Sequence, residues 1–179
     1  KPQKEGGGCP SFFRGRRTFM YSFPVTLRTY QEEDSRALAE LFYETVHRVN
    51  CKDYSSEQIA AWAPAVPEEE TWHRSFAGHL ALVAVQGEEI VGFGDLDPVQ
   101  GYLDRLYVKW DRQGMGIGSL LCQKLEARCA ALVLYTYASL TAQPFFLRRG
   151  YRLMYRRQVE RRGVLLENAR MEKVLAKPE

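Results

Sequence analysis

Residues 113–118 read Gln113-Gly114-Met115-Gly116-Ile117-Gly118, three glycines at alternate positions. A strand-like run, 102–108 (YLDRLYV), precedes them, and an amphipathic stretch follows with Ile117, Leu120, Leu121, Leu125 and Cys129 at helical spacing. A glycine turn between a strand and a helix removes side chains where a ligand must approach the backbone. The first N–H groups of a helix have no internal partner and lie at the positive end of its dipole. Such an end is an anion site, and the turn reads as a pyrophosphate cradle to which Arg112, Gln113 and Ser119 add side-chain donors. Competing phosphate motifs fail. The dinucleotide pattern G-x-G-x-x-G would need glycine where Leu121 stands, and no lysine follows the glycines as a P-loop requires. On its own the turn remains compatible with a plain structural turn.

Working outward, Val25, Leu27 and Thr29 alternate with Thr26 and Arg28 as in a strand. A helix is expected next, with Leu38, Leu41, Phe42, Thr45, Val46 and Val49 on one face and Asp34 or Ser35 as its cap. A short helix follows Ser55-Ser56 and ends near Pro64, and a third is expected over 68–77. Runs 81–85 (ALVAV) and 90–94 (IVGFG) flank Gly87-Glu88-Glu89, a hairpin signal. Past the glycine turn and its helix come a strand at 132–137 (LVLYTY) and a short helix at 141–149 closed by Gly150. A final strand pair, 151–159 and 164–174, turns at Arg162-Gly163.

Downstream of the turn, Ser139-Leu140-Thr141-Ala142-Gln143-Pro144-Phe145-Phe146-Leu147-Arg148-Arg149-Gly150-Tyr151 resembles the N-x-x-A-x-x-F-Y-x-x-x-G-F segment of the GCN5-related N-acetyltransferases, the GNAT family. Gln113, Gly116 and Gly118 fill that family's Q/R-x-x-G-x-G, and the order of elements is similar from Val25 to Leu175. Within the family the chain resembles a bacterial YafP-like branch, through Asp53-Tyr54-Ser55 with Trp62-Ala63-Pro64 and Arg162-Gly163-Val164 with Asn168-Ala169-Arg170-Met171. The resemblance implies an α/β (α+β) fold: a mixed, mostly antiparallel sheet flanked by helices and splayed between its fourth and fifth strands, 102–108 and 132–137. It implies acetyl-CoA as cofactor. The pantetheine arm would bond the backbone of Leu106, Tyr107 and Val108. The pyrophosphate would rest on Gln113, Gly114, Met115, Gly116, Ile117 and Gly118, beside Arg112 and Ser119. Ser139, at the family's asparagine position, and Phe145 and Phe146 would line the other side.

The reaction so implied is attack of a primary amine on a thioester. A lysine-like amine at pH 7 lies about 3.4 pH units from its neutral form, about 4.6 kcal/mol, so a base is needed. Asp104 is the first candidate, a carboxylate in an otherwise apolar strand, where simple alternation places it with Tyr102 and Leu106 on one face; Asp95 and Asp97 compete. The family's usual tyrosine acid is replaced by Phe146, so Tyr137 or Tyr135 is expected to supply the proton. His47, Tyr54 and Trp62 are expected to form the acceptor pocket, with Glu44 and Asn168 orienting a polar acceptor, a small-molecule or peptide amine. A non-catalytic acyl-CoA sensor or interaction module is the rival reading, favoured by the missing Phe146 hydroxyl.

Composition sets outer bounds. The 179 residues suit one domain, and the net charge of +3 is uneven. Residues 1–19 hold five basic side chains against Glu5 alone, which leaves −1 for the rest. A near-neutral body argues against a nucleic-acid partner, and a nucleic-acid-binding arm at 1–20 ranks last. Residues 1–20, with Gly6-Gly7-Gly8 and a first methionine at Met20, are expected to be a disordered or non-native extension, with a targeting arm as the alternative. Residues 21–179 form the single expected domain. No apolar run nears the roughly 20 residues that cross a bilayer. The cysteines 9, 51, 122 and 129 lack metal or redox spacing, and a cytoplasmic protein with reduced thiols is expected. His47, His73 and His79 lack metal-ligand spacing, so no metal is expected, and no G-x-S-x-G elbow is present. The final strand pair offers a face for a homodimer.

Overall fold

The computed structural model describes residues 24–175; the expected extension at 1–20 lies outside them. Seven strands form one sheet: β1 (Val25–Thr29), β2 (Leu80–Gln86), β3 (Glu89–Asp97), β4 (Tyr102–Val108), β5 (Val133–Ser139), β6 (Arg152–Arg161) and β7 (Val164–Val174). Their order is β1-β2-β3-β4-β5-β7-β6. Every neighbouring pair is antiparallel except β4 and β5, which run parallel. Helices α1 (Ser35–Val49), α2 (Ser56–Trp62) and α3 (Glu69–Arg74) precede β2; α4 (Ile117–Glu126) joins β4 to β5, and α5 (Gln143–Arg148) joins β5 to β6.

Two cores lie on the two faces of the sheet. Leu82, Leu103 and Leu134 face Ile117, Leu121, Cys122 and Leu125 of α4 and Phe146 of α5. Val83 and Phe93 face Leu38, Phe42 and Val46 of α1 on the other side. The apolar run 81–85 is thus explained by burial on both faces. Leu120, expected on the buried stripe of α4, is instead exposed, and Cys122 takes the inward position.

Three local expectations need correction. Asp34 does not cap α1 through its side chain; its carboxylate accepts from Arg28 (2.6 and 2.7 Å) and from the Gln31 N–H (2.9 Å). Glu68 is the cap of α3, which is shorter than 68–77. Cys122 and Cys129 are free, but Cys51 is disulfide-bonded. Spacing along the chain does not show which cysteines meet in space.

The sheet opens between its parallel strands. β4 and β5 share a single register pair, Tyr102 with Tyr135. Gly101, at φ 72°, permits that contact: a Cβ there would lie 2.3 Å from the Val133 carbonyl oxygen. Its own carbonyl accepts from the Tyr135 N–H at 2.8 Å. Beyond this point β5 pairs only with β7, and the two halves of the sheet diverge.

Candidate active site

The glycine turn follows a short helical turn, Trp110–Arg112, and leads into α4. Gly114 and Gly116 have φ of 73° and 83°, left-handed values that L side chains avoid. Gly116 is the N-cap of α4 and offers no side chain to its first N–H groups. The first turn of α4 therefore presents unbonded donors, and no heavy atom lies within 4 Å of where a Cβ would stand on Gly114 or Gly116. Gln113 braces the turn: its Nε2 donates to the Val108 carbonyl at 2.6 Å. Arg112 is committed to Gln86, Glu89 and Asp111. Met115 is exposed and lies off the cavity wall, while Ile117 and Ser119 lie on it.

A cavity of about 1210 Å³ runs from this turn into the gap between β4 and β5. The Lys109 N–H donates to Val91 in β3, so strand alternation turns the amides of Leu106 and Val108 the other way, toward the gap. Tyr107 lines the cavity, with its ring packed on Phe42 and Phe93. Across the gap, Ser139 caps the following turn by accepting from the Ala142 N–H at 3.2 Å. Phe145 and Phe146 also line the cavity, and Phe146, only 3% exposed, packs on Tyr151.

Asp104 owes its position to a β-bulge. Leu103 pairs with Leu96 and Arg105 with Asp95, so Asp104 has no partner in β3. The bulge breaks the alternation expected from sequence. Leu103 and Leu106 both face α4, while Arg105 stacks over Phe76 on the opposite face, 4.0 Å from the ring centroid. Asp104 shares a hydrogen bond with Tyr102, whose hydroxyl donates at 2.8 Å, but does not share a face with Leu106. Burial and the Asp104 charge push the Tyr102 phenol well above its usual range, which keeps it a donor at neutral pH.

Asp104 itself carries an ion pair, its Oδ2 3.6 Å from Arg105 Nε, and the competing carboxylates are more heavily occupied. Asp95 is fully buried and accepts from Arg105 at 2.7 and 2.9 Å, with His79 Nδ1 at 2.6 Å. Asp97 accepts from the N–H groups of Val99 and Gln100, both at 2.9 Å. His79, Asp95 and Asp104 place one donor atom each within 4.8 Å of one another, but Arg105 already compensates the Asp95 charge in that cluster.

Tyr137 lines the cavity, whereas Tyr135 lies off its wall, stacked between Tyr102 and Arg170. Hydrogen bonds from Tyr155 and Arg170 hold the Tyr137 phenol below the usual tyrosine range. Arg170 Nη1 donates to its oxygen at 3.3 Å, and the Arg157 guanidinium lies over its ring, 3.4 Å from the centroid.

Residues 50–175 match the family profile described as the Acetyltransferase (GNAT) domain. The chain belongs to the GNAT acetyltransferase family. It is therefore an enzyme of the acyl-CoA N-acyltransferase class. Among similar proteins, the uncharacterised N-acetyltransferase YafP of Escherichia coli K12 is 31% identical over 144 residues, 80% of this chain and 92% of YafP. A GCN5-related N-acetyltransferase (aminotransferase, class-II) of Rhodopseudomonas palustris superposes with a TM-score of 0.80 at 34% identity, covering 88% of this chain and all of that one. The PaiA N-acetyltransferase of Thermoplasma acidophilum, solved in complex with coenzyme A, shares the GNAT fold with a TM-score of 0.69 at 20% identity, covering 85% of this chain and 99% of that one.

At the end of the GNAT cavity away from the glycine turn, Tyr54, Trp62 and Asn168 line the wall. The Tyr54 hydroxyl is spent on structure: it donates to the Glu167 carbonyl (2.6 Å) and accepts from the Leu140 N–H (2.9 Å). Asn168 Oδ1 accepts from Arg157 Nε at 2.9 Å. His47 turns away from the cavity, with Nε2 2.8 Å from the Ala63 carbonyl and its ring on Tyr43. Glu44 accepts from the Trp110 indole at 3.1 Å and is also off the wall. Helical spacing showed that both residues share α1 with the core stripe but not which way each turned. Sequence reading missed Trp72, Arg157 and Arg161. The period-two run Tyr155-Arg157-Val159-Arg161 carried the signal for the two arginines.

Proposed function

We propose that this chain transfers an acetyl group from acetyl-CoA to a primary amine of a small molecule or peptide, by direct attack on the thioester. The observation that carries the reading is the bulge that sets Asp104, beside Arg105 at 3.6 Å, on the wall of a cavity which also holds the glycine turn and Tyr137. The donor set fits coenzyme A. Open N–H groups at the start of α4 suit a pyrophosphate, and the amides of Leu106 and Val108 suit the amide groups of a pantetheine arm. Gln113, Gly118, Ser119, Ser139 and Phe145 would form the surrounding wall. Acetyl-CoA supplies an acyl group activated as a thioester.

The chain's own residues handle the protons. Asp104 accepts one from the ammonium, directly or through water, offsetting the roughly 4.6 kcal/mol cost of a neutral amine at pH 7. Tyr102 holds that carboxylate in place. Tyr137, its phenol made more acidic by Tyr155 and Arg170, holds a proton for the departing sulfur. This role replaces the hydroxyl absent from Phe146.

Thiol release from acetyl-CoA, measured over a panel of amines, tests the proposal. Asp104→Asn should lower kcat/KM at pH 7 by about 10²-fold or more, with partial recovery at higher pH as the amine deprotonates by itself. Full turnover by Asp104→Asn across pH 6–9 would remove Asp104 from the role. Coenzyme A binding without turnover of any amine would favour the sensor reading.

A further inference from the structure

Among the described residues, four of the eight cations on the cavity wall already have a carboxylate. Arg105 is paired with Asp95, Arg112 with Glu89 and Asp111, and Arg149 and Lys173 with Glu126. Nearby, Arg170 is paired with Glu172. Glu167, which faces the cavity, is taken by Arg156 at 2.7 Å. Arg157 is different. Its Nε is fixed by Asn168 at 2.9 Å and its plane lies on Tyr137. No hydrogen bond or ion pair among the described residues uses its two terminal nitrogens.

A guanidinium held by one edge and one face, with its remaining donors free, is a preformed fork for a planar anion. β6 aims it inward: Arg157 and Val159 are half-buried on the wall, while Arg156, Gln158 and Glu160 between and beside them are exposed. Arg161 continues the same face and, like Lys52 on the wall near α1, has no ion-pair partner among the described residues. Two carboxylate-free cations on β6 and one beside α1 thus line the cavity, with Arg148 of α5 as a fourth.

We infer that Arg157 anchors a carboxylate carried by the acceptor, so that the acceptors are small amino-carboxylates. The inference rests on the acetyl-transfer reading for the fate of the amine but not for the binding of the acid. Tyr137, beneath Arg157, lies 5.9 Å ring to ring from Tyr102, whose hydroxyl bonds Asp104. The anchor and the base therefore flank one basin. An acceptor with its amine at Asp104 and its carboxylate at Arg157 spans it.

The probes are ω-amino acids from glycine to 6-aminohexanoate, each paired with its carboxamide. Binding is measured by calorimetry with and without coenzyme A, and turnover by thiol release. At least one acid should bind, and be used, about tenfold or more better than its carboxamide, the scale of a charge-assisted bidentate contact. Arg157→Gln should erase that preference by raising KM for the acid about tenfold more than for the carboxamide, with any change in kcat shared by both. Arg157→Lys should keep only part of it, since a point charge lacks the fork. Arg161→Gln, which is not stacked on Tyr137, should weaken the acid through KM alone. Equal use of acid and carboxamide by the wild type, a preference that survives Arg157→Gln, or no binding of any acid overturns the anchor. Binding of an acid without turnover would instead sink the catalytic reading and leave the anchor standing. Equal acetylation of the acids by wild type and Arg157→Gln would do the reverse.

Discussion

Gly118→Ala separates a turn shaped by its backbone from one shaped by a ligand. Gly118 is the second residue of α4, and its φ is not left-handed. A methyl there would make ordinary contacts, 3.6 Å from Phe145 Cε2 and 3.6 Å from Val108 Cγ2. Neither backbone nor packing therefore demands glycine. Alanine in a helix is favoured over glycine by about 0.5–1 kcal/mol. For a domain of this size that corresponds to a rise in Tm of about 1–4 °C without ligand. The added methyl would nevertheless stand on the cavity wall between β4 and α5, where an incoming coenzyme A must approach the backbone. A tenfold loss of affinity is about 1.4 kcal/mol. At a concentration of coenzyme A 100 times the wild-type Kd, ligand stabilises the wild type by about 2.7 kcal/mol and a tenfold weaker binder by about half of that. Thermal melts with and without coenzyme A, together with calorimetric titration, read both quantities. The variant should be at least as stable as the wild type alone and gain about half as much from ligand. Unchanged coenzyme A affinity would refute the cradle, and a loss of more than about 1 kcal/mol without ligand would refute the packing argument.

Three further outcomes follow from the geometry. Tyr137→Phe should lower kcat with little change in KM for acetyl-CoA; an unchanged kcat would move the proton donor elsewhere. Glu126→Gln should cost about 2–4 kcal/mol by denaturant titration. That carboxylate accepts from Cys122, Tyr151, Arg149 and Lys173 at 3.0 to 3.3 Å and ties α4 to β7 and to the turn between α5 and β6; a cost under about 0.5 kcal/mol would show the cluster to be incidental. His79 is raised above 6.5 by its hydrogen bond to Asp95, helped by Asp104 and opposed by burial and Arg105. Its folded-state value exceeds the unfolded one, so its stabilisation is complete below about pH 6.5 and is lost as pH rises through the folded value. The stability gap between wild type and His79→Gln should therefore shrink from pH 6 to pH 9, and a gap that widens would contradict the pairing.

Much of the fold was legible because the signals are local. Two-residue alternation marked β1, apolar runs flanking Gly87-Glu88-Glu89 marked the β2–β3 hairpin, and the span 102–108 coincides with β4. Glycines marked the start of α4 and the end of α5. Both kinds of signal depend on neighbours within four positions. Asp104 was picked from sequence as the one carboxylate of the strand 102–108, and the structure puts it on the cavity wall. The reason it gets there was not legible: the bulge arises from the pairing of Leu103 and Arg105 with β3.

The sequence by itself thus determined the order of elements, the glycine turn and the residue types available for proton transfer. Tertiary structure decided which of them meet. It opened the gap by limiting β4 and β5 to one register pair, turned His47 and Tyr135 off the cavity wall, and set Asp95 under Arg105. It also left Arg157 fixed by Asn168 and Tyr137 with its fork unspent. Strand register and charge pairing join residues far apart in the chain, whereas sequence periodicity reports only the turn or pleat in which a residue sits.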